Sequence, residues 1–177
     1  MKKLILFTLL FTSLLSCCDK DDNDVNEVLP PATQTGVGTF ACKVNGQPFI
    51  DTSGGYFNCY YQLIEGKYHF GIGGSDKVQS LISIVLETKK KQIFENNTYP
   101  LLKNIDGNAW AGSSFNPSSN SQTFATTDEN YTGELTITKL DFTNHIVSGT
   151  FWYNIKNPYT NETVEIREGR FDTLFTQ

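Results

Sequence analysis

The stretch YTGELTITKLDFTNHIVSGTFWYNIKNPYTNETVEIREGRFDTLF, residues 131–175, decides the fold. Tyr131 to Asp141 is rich in Thr and Ile and reads as a strand. Phe142-Thr143-Asn144-His145 turns the chain. Ile146 to Lys156 then alternates. Val147, Gly149, Phe151, Tyr153 and Ile155 fall on one face, and Ser148, Thr150, Trp152, Asn154 and Lys156 on the other. A period of two belongs to a half-buried strand. Asn157 to Asn161 turns again, and Glu162 to Phe175 returns. Its apolar register runs Val164, Ile166, then Phe171 and Phe175, so the parity flips near Glu168-Gly169. A flip at glycine marks a bulge or bend.

The same signals extend toward the N-terminus. Thr39 to Val44 puts Phe40, Cys42 and Val44 on one face, and Asn45-Gly46 is a strong hairpin signal. Gln47 to Ile50 is a short return whose Pro48 points to a sheet edge. Tyr56 to Ile64 and Lys67 to Gly73 flank a second hairpin at Glu65-Gly66. Val78 to Glu87 is apolar on both faces, which predicts a strand covered on both sides. Thr98 to Leu102 and Ala109 to Phe115 read as short strands, and Asn116 to Ser121 as a polar loop. No segment shows a helical period. The expectation is an all-β fold, an antiparallel β-sandwich or flattened β-barrel of about 8–10 strands.

Residues 1–16 read as a signal peptide. Lys2 and Lys3 precede an apolar run from Leu4 to Leu15 and a small residue, Ser16. The run is too short for an ordinary membrane-spanning helix. Leu14-Leu15-Ser16-Cys17 resembles a bacterial lipobox, which makes Cys17 the expected site of lipidation and the membrane a partner through that lipid. Residues 17–35 read as a lipidated, acidic, flexible tether with a stiff Pro30-Pro31 step, and residues 36–177 as a single domain. The formal net charge of -5 over 177 residues is not that of a duplex-binding protein, so no nucleic-acid partner is expected. Much of the acidity sits in the tether, between Asp19 and Glu27.

Two ends of the domain carry a resemblance. Gly133-Glu134-Leu135-Thr136-Ile137-Thr138, Asp141, Asn144, Ile146-Val147-Ser148-Gly149-Thr150-Phe151 and Glu168-Gly169-Arg170-Phe171 resemble a family of Bacteroidetes-type lipoproteins of unknown function. The opening Val44-Asn45-Gly46-x-Pro48-Phe49 is similar to that family's N-terminal start, although the family usually has Ala near position 42 and Trp at position 49. The resemblance implies an envelope protein and brings no catalytic residue or cofactor. Lys20-Asp21-Asp22 after Cys17 resembles the export signal of surface lipoproteins, which implies the outer membrane and its exterior face. Asp172-Thr173-Leu174 is similar to an O-glycosylation site of such envelopes.

Chemistry is sparse. Neither His69 nor His145 has neighbours resembling a nucleophile motif, and the chain has no GxSxG, HExxH or SxxK. Asn104-x-Asp106-x-Asn108 has calcium-like spacing, but Ala109 replaces the required glycine, so a polar turn is expected and no metal. Cys42 and Cys59 are candidates for a disulfide in an oxidising envelope, or else two small buried hydrophobes. Trp152 lies on the polar register of its strand and Trp110 beside a polar loop, so both are candidate stacking residues for a sugar ring. The resulting expectation is a non-catalytic binding or envelope-structural module with a glycan or protein ligand and no cofactor. The alternatives are a lipocalin-like carrier of a small hydrophobic ligand and a hydrolase.

Overall fold

The computed structural model describes residues 28–53, 59–118 and 121–177. The signal segment, Cys17 and the acidic stretch behind it lie outside the described residues. Eleven strands form one curled, mostly antiparallel sheet: β1 (Thr39–Val44), β2 (Gln47–Ile50), β3 (Cys59–Ile64), β4 (Lys67–Val78), β5 (Leu81–Thr88), β6 (Asn97–Leu101), β7 (Ala109–Ser118), β8 (Ser121–Thr126), β9 (Gly133–Asp141), β10 (Ile146–Lys156) and β11 (Thr163–Leu174). The strand order is β2-β1-β11-β10-β9-β6-β7-β5-β4-β3, with β8 paired to β7 outside that path. The all-β expectation holds.

Local sequence explains most elements. Asn45 and Gly46 both have positive φ, 49° and 83°, and so do Glu65 and Gly66, 50° and 72°. Two successive left-handed residues make the type I′ turn whose twist suits a hairpin. Strand β2, with Pro48, stands at one end of the strand order as its proline requires. The parity flip in β11 is a bulge. The β10–β11 register passes from Phe151↔Gly169 to Tyr153↔Ile166, and the β1–β11 register from Ala41↔Arg170 to Lys43↔Arg167. Glu168 takes a φ of 52° there. Any Cβ on Gly169 would strike the Phe151 ring.

Three readings need correction. Val78 to Glu87 is not one strand: Gln79, with φ 56°, turns the chain between β4 and β5. Among the described residues no second layer covers β5 fully, and Ile82 and Val85 remain half-buried. The polar composition of 116–121 concealed the end of β7 and the start of β8, so the strand count exceeds the expected range. The sandwich alternative gives way to a single curled sheet. Its two ends approach each other. Thr52 N–H donates to Ser75 O at 3.2 Å, Tyr61 N–H to Thr176 O at 2.8 Å, and Thr176 N–H to Cys59 O at 3.0 Å.

The curl encloses an aromatic core. Phe40, Phe49, Phe70, Phe115, Phe171 and Tyr153 are all buried. The Phe40 and Phe151 rings lie 5.2 Å apart and those of Phe70 and Phe171 6.2 Å apart. Burying each such ring contributes about 1.5–3 kcal/mol. The one hydroxyl among these six side chains is satisfied across the interior, with Tyr153 Oη 2.7 Å from Ser113 Oγ. Cys42 and Cys59 are free, buried thiols, so the disulfide is not formed. They stand on β1 and β3, which are not neighbours in the sheet, and each packs as a small apolar group. Burial pushes both thiols well above their ordinary range.

Residues 29–36, read from the sequence mostly as the end of the tether, lie on the sheet. Leu29 is buried, and Pro30 O accepts from Arg170 Nη1 at 3.2 Å. Asp172, 1% exposed, clasps the segment. Its carboxylate accepts from Thr33 Oγ1 (2.6 Å), Thr35 N–H (2.8 Å), Gly36 N–H (2.8 Å) and Ser148 Oγ (2.7 Å). Burial alone would raise this carboxyl. The donors from Thr33, Thr35, Ser148 and Gly36 outweigh it and hold the group below the ordinary carboxylate value. Thr173, of the Asp172-Thr173-Leu174 stretch that is similar to an O-glycosylation site, is buried beside it.

Asp172→Ala is expected to lower stability by roughly 2–3 kcal/mol in urea unfolding and to open residues 29–36 to protease. A depressed carboxyl stabilises the fold above its unfolded value and ceases to do so as pH falls through the folded one. The wild type should therefore lose this contribution below about pH 3.8, whereas Asp172→Asn should not show that acid step. Separately, peptide mass spectrometry should find Cys42 and Cys59 unalkylated by iodoacetamide in the folded protein and alkylated in denaturant.

Candidate functional site

The alternation of β10 points Trp152 outward, as its register predicts, and leaves it 37% exposed. Two neighbours fix its ring. Glu134, its partner on β9, accepts from Trp152 Nε1 at 3.1 Å. Arg167, beside the β11 bulge and unpaired on the β10 side only, sets its guanidinium carbon 5.5 Å from the ring centroid. That guanidinium is itself anchored. Nη1 donates to Tyr153 O at 3.0 Å and Ile166 O at 2.9 Å, and Nη2 to Asn154 Oδ1 at 2.7 Å and Glu165 Oε1 at 3.0 Å. The indole is thus a preorganised surface, with little orientation left to settle on binding.

Trp152 borders a groove of about 410 Å³ on the outside of β9, β10 and β11. Glu134, Thr136, Thr150, Glu168 and Arg170 also line it, and Ala32 of the N-terminal segment forms a wall. Lys43 Nζ meets Glu168 Oε1 at 2.7 Å. The hydrogen bond from Lys43 keeps the Glu168 carboxyl below its ordinary value. Arg170 donates through Nε and Nη2 to Glu168 O at 3.1 and 3.0 Å. The groove therefore offers an aromatic face, hydroxyls, carboxylates and a guanidinium within one concavity. That mixture suits a ligand with both apolar faces and many hydroxyls.

Trp110 is not part of such a surface. It is 5% exposed, with Phe124 of β8 edge-on at 6.2 Å and 90°. Its strand turned out longer and β8 covers it, which the sequence reading of 116–121 as a loop had hidden. Its Nε1 has no hydrogen-bond partner among the described residues. Phe124 lies over Gly112, where any Cβ would collide with the ring.

Other singled-out residues do not converge. His69 sits on β4 opposite Gln62, and His145 sits in a turn with its ring 5.7 Å from Phe175. Asp106 is an ion-pair partner rather than a calcium ligand, at 2.7 Å from Lys90 Nζ and 3.7 Å from Lys89 Nζ. Among the described residues no group of three or more His, Cys, Asp or Glu side chains could hold a metal. At one end of the curled sheet Tyr61, Leu63, Tyr68 and Phe142 line a hollow of about 280 Å³. The Tyr61 and Tyr68 rings stack there at 5.1 Å.

Sequence reasoning found Trp152 but missed Glu134, Thr136, Thr150 and Arg170. A signal for three of them existed. Glu134 and Thr136 share the outward parity of β9, and Thr150 shares that of Trp152 itself. Arg170 carried none, because its place depends on the bulge.

Comparison with curated proteins and with solved structures returned no significant match. One family model does match, the one described as a domain of unknown function (DUF6252), over residues 61–174. That span runs from β3 to the last residue of β11, with β1 and β2 preceding it. With well over half of its length matched, the chain belongs to the DUF6252 family of domains of unknown function.

Proposed function

We propose that this protein is an outer-membrane lipoprotein of a Bacteroidetes-type envelope, facing the cell exterior, that binds a glycan without catalysis in the groove beside Trp152. The observation that carries the ligand reading is the exposed, doubly braced indole beside a groove lined by hydroxyl and charged groups. A pyranose presents an apolar face that stacks on indole and a rim of hydroxyls that seeks carboxylate, hydroxyl and guanidinium partners. The envelope reading rests on the lipobox-like Leu14-Leu15-Ser16-Cys17 and the Lys20-Asp21-Asp22 stretch behind it. Several acyl chains on Cys17 would anchor the protein stably, since each buried CH₂ contributes about 0.8 kcal/mol. A protein ligand on the same groove is the neighbouring possibility that the experiment separates. The carrier reading is less favoured, because Phe40, Phe70, Phe151, Phe171 and Tyr153 occupy the interior where a carried ligand would sit.

Two measurements test this proposal. On intact cells, added protease should cleave the wild type, and cleavage should disappear in Cys17→Ala and in the Asp21→Ala, Asp22→Ala double variant; protection of the wild type defeats the surface assignment. On a glycan array, Trp152→Ala should lose at least about tenfold in capture, on the order of 1.4 kcal/mol. Its melting temperature should stay within about 2–4 °C of wild type, the shift expected for about 1 kcal/mol at this chain length. Unchanged capture removes Trp152 from the site, and capture of proteins but no glycan turns the ligand assignment to protein.

A further inference from the structure

The clasp at Asp172 and the groove beside Trp152 occupy neighbouring rows on the outer face of the same strands. Ser148 stands opposite Asp172, and the next outward pair along β10 and β11 is Thr150 opposite Arg170. Residues 29–36, the strap, cross both rows. Thr33, Thr35 and Gly36 meet the Asp172 carboxylate in the first. In the second, Pro30 O accepts from Arg170 Nη1 at 3.2 Å, and Ala32 and Arg170 both line the groove. One wall of the groove is therefore not a strand.

This wall is held differently from the rest. No residue of the strap belongs to a strand, and among the described residues none of its backbone groups bonds to another backbone group. Pro31, Ala32, Gln34 and Thr35 are exposed, and Leu29 is its one buried side chain. Its polar attachment comes from side chains. Asp172 Oδ2 accepts from Thr33 and Thr35, Asp172 Oδ1 accepts from Gly36, and Arg170 donates to Pro30. A segment with little buried surface and no ladder opens at lower cost than the strands beneath it. The shape of the groove thus follows a local equilibrium that the clasp controls.

We propose that the strap is a working wall of the Trp152 groove and that Asp172, with Thr33, is a positioning residue for it, so that capture in the groove and docking of the strap form one coupled equilibrium. The inference rests on the reading of that groove as the binding site. Docking brings Ala32 to the groove and fixes the Arg170 guanidinium, whose other partner is Glu168. A ligand that touches the docked strap favours docking, and by linkage docking favours the ligand to the same degree. Any loss of docked population lowers the apparent affinity in proportion.

The test uses the full-length chain, ¹⁵N-labelled and held in detergent micelles. Amide exchange reads docking, and the glycan array reads capture. Thr33→Val removes one strap donor to Asp172 without altering a strand or a residue that lines the groove. It should speed exchange at the Thr35 and Gly36 amides and weaken capture at least about fivefold, the lower end of ordinary coupling. Its melting temperature should stay within about 2–4 °C of wild type. Thr33→Ser keeps the hydroxyl and should retain both exchange and capture. Asp172→Asn should act as Thr33→Val does, and more strongly. Conversely, the free form of the oligosaccharide that the wild type captures most strongly should slow exchange at both amides. Faster exchange with unchanged capture makes the strap a structural brace and overturns the proposal. Unchanged exchange in both Thr33→Val and Asp172→Asn overturns it as well, since the clasp then does not hold the strap. So does a captured oligosaccharide that leaves exchange at both amides unaltered. These outcomes leave the groove itself standing wherever Trp152→Ala loses capture. Retained capture in Trp152→Ala, or no capture by the wild type, removes the groove reading and this inference with it.

Discussion

The bulge at Glu168-Gly169 is the constraint on which the rest depends. Strand β11 is paired along both edges, to β10 and to β1, and the bulge shifts both registers at once. It lets Ile166 and Phe171 both face the interior although an uninterrupted strand would put them on opposite faces. Past the bulge the same shift puts Asp172 on the outer face, where it clasps the N-terminal segment and is covered by it. Before it, Arg167 comes to lie against Trp152. Core, strap and groove thus follow from one extra residue.

A filled interior moves chemistry to the wall. The core holds rings at 5–7 Å spacing, and the one polar group among the largest of them, Tyr153 Oη, is satisfied by Ser113. What remains for recognition is the outward register of the strands. There, large side chains stand beside small ones: Trp152 beside Thr136 and Thr150, Tyr60 beside Gly71. Such alternation carves grooves into the outer surface of the sheet. The one beside Trp152 mixes carboxylates with a guanidinium.

Much of the fold was legible residue by residue. The turns at Asn45-Gly46 and Glu65-Gly66 were legible because left-handed backbone demands particular residues. Strand β10 was legible because one covered face imposes a strict period. Strand β8 was not, since Ser121 to Thr126 is largely polar and has no buried residue, and a strand at the margin of a sheet needs no alternation. The same blindness misplaced Trp110. Its exposure depended on whether anything covered β7, which no local pattern records. The docking of residues 29–36 on the sheet was missed for a related reason. Thr33, Thr35 and Gly36 look like a linker, and only the carboxylate of Asp172, more than a hundred residues away, holds them.

By itself the sequence determined the strand character, the tight turns, the position of the bulge and the outward placement of Trp152. These are local consequences of backbone sterics and of the two-residue period of a strand. Only the tertiary structure decided that the sheet curls on itself rather than forming two layers, that Cys42 and Cys59 stay apart, and which outward side chains share a groove. Those outcomes depend on strand order and on contacts between distant segments. Periodicity specifies which face of a strand is buried, and it carries no information about which other strand will bury it.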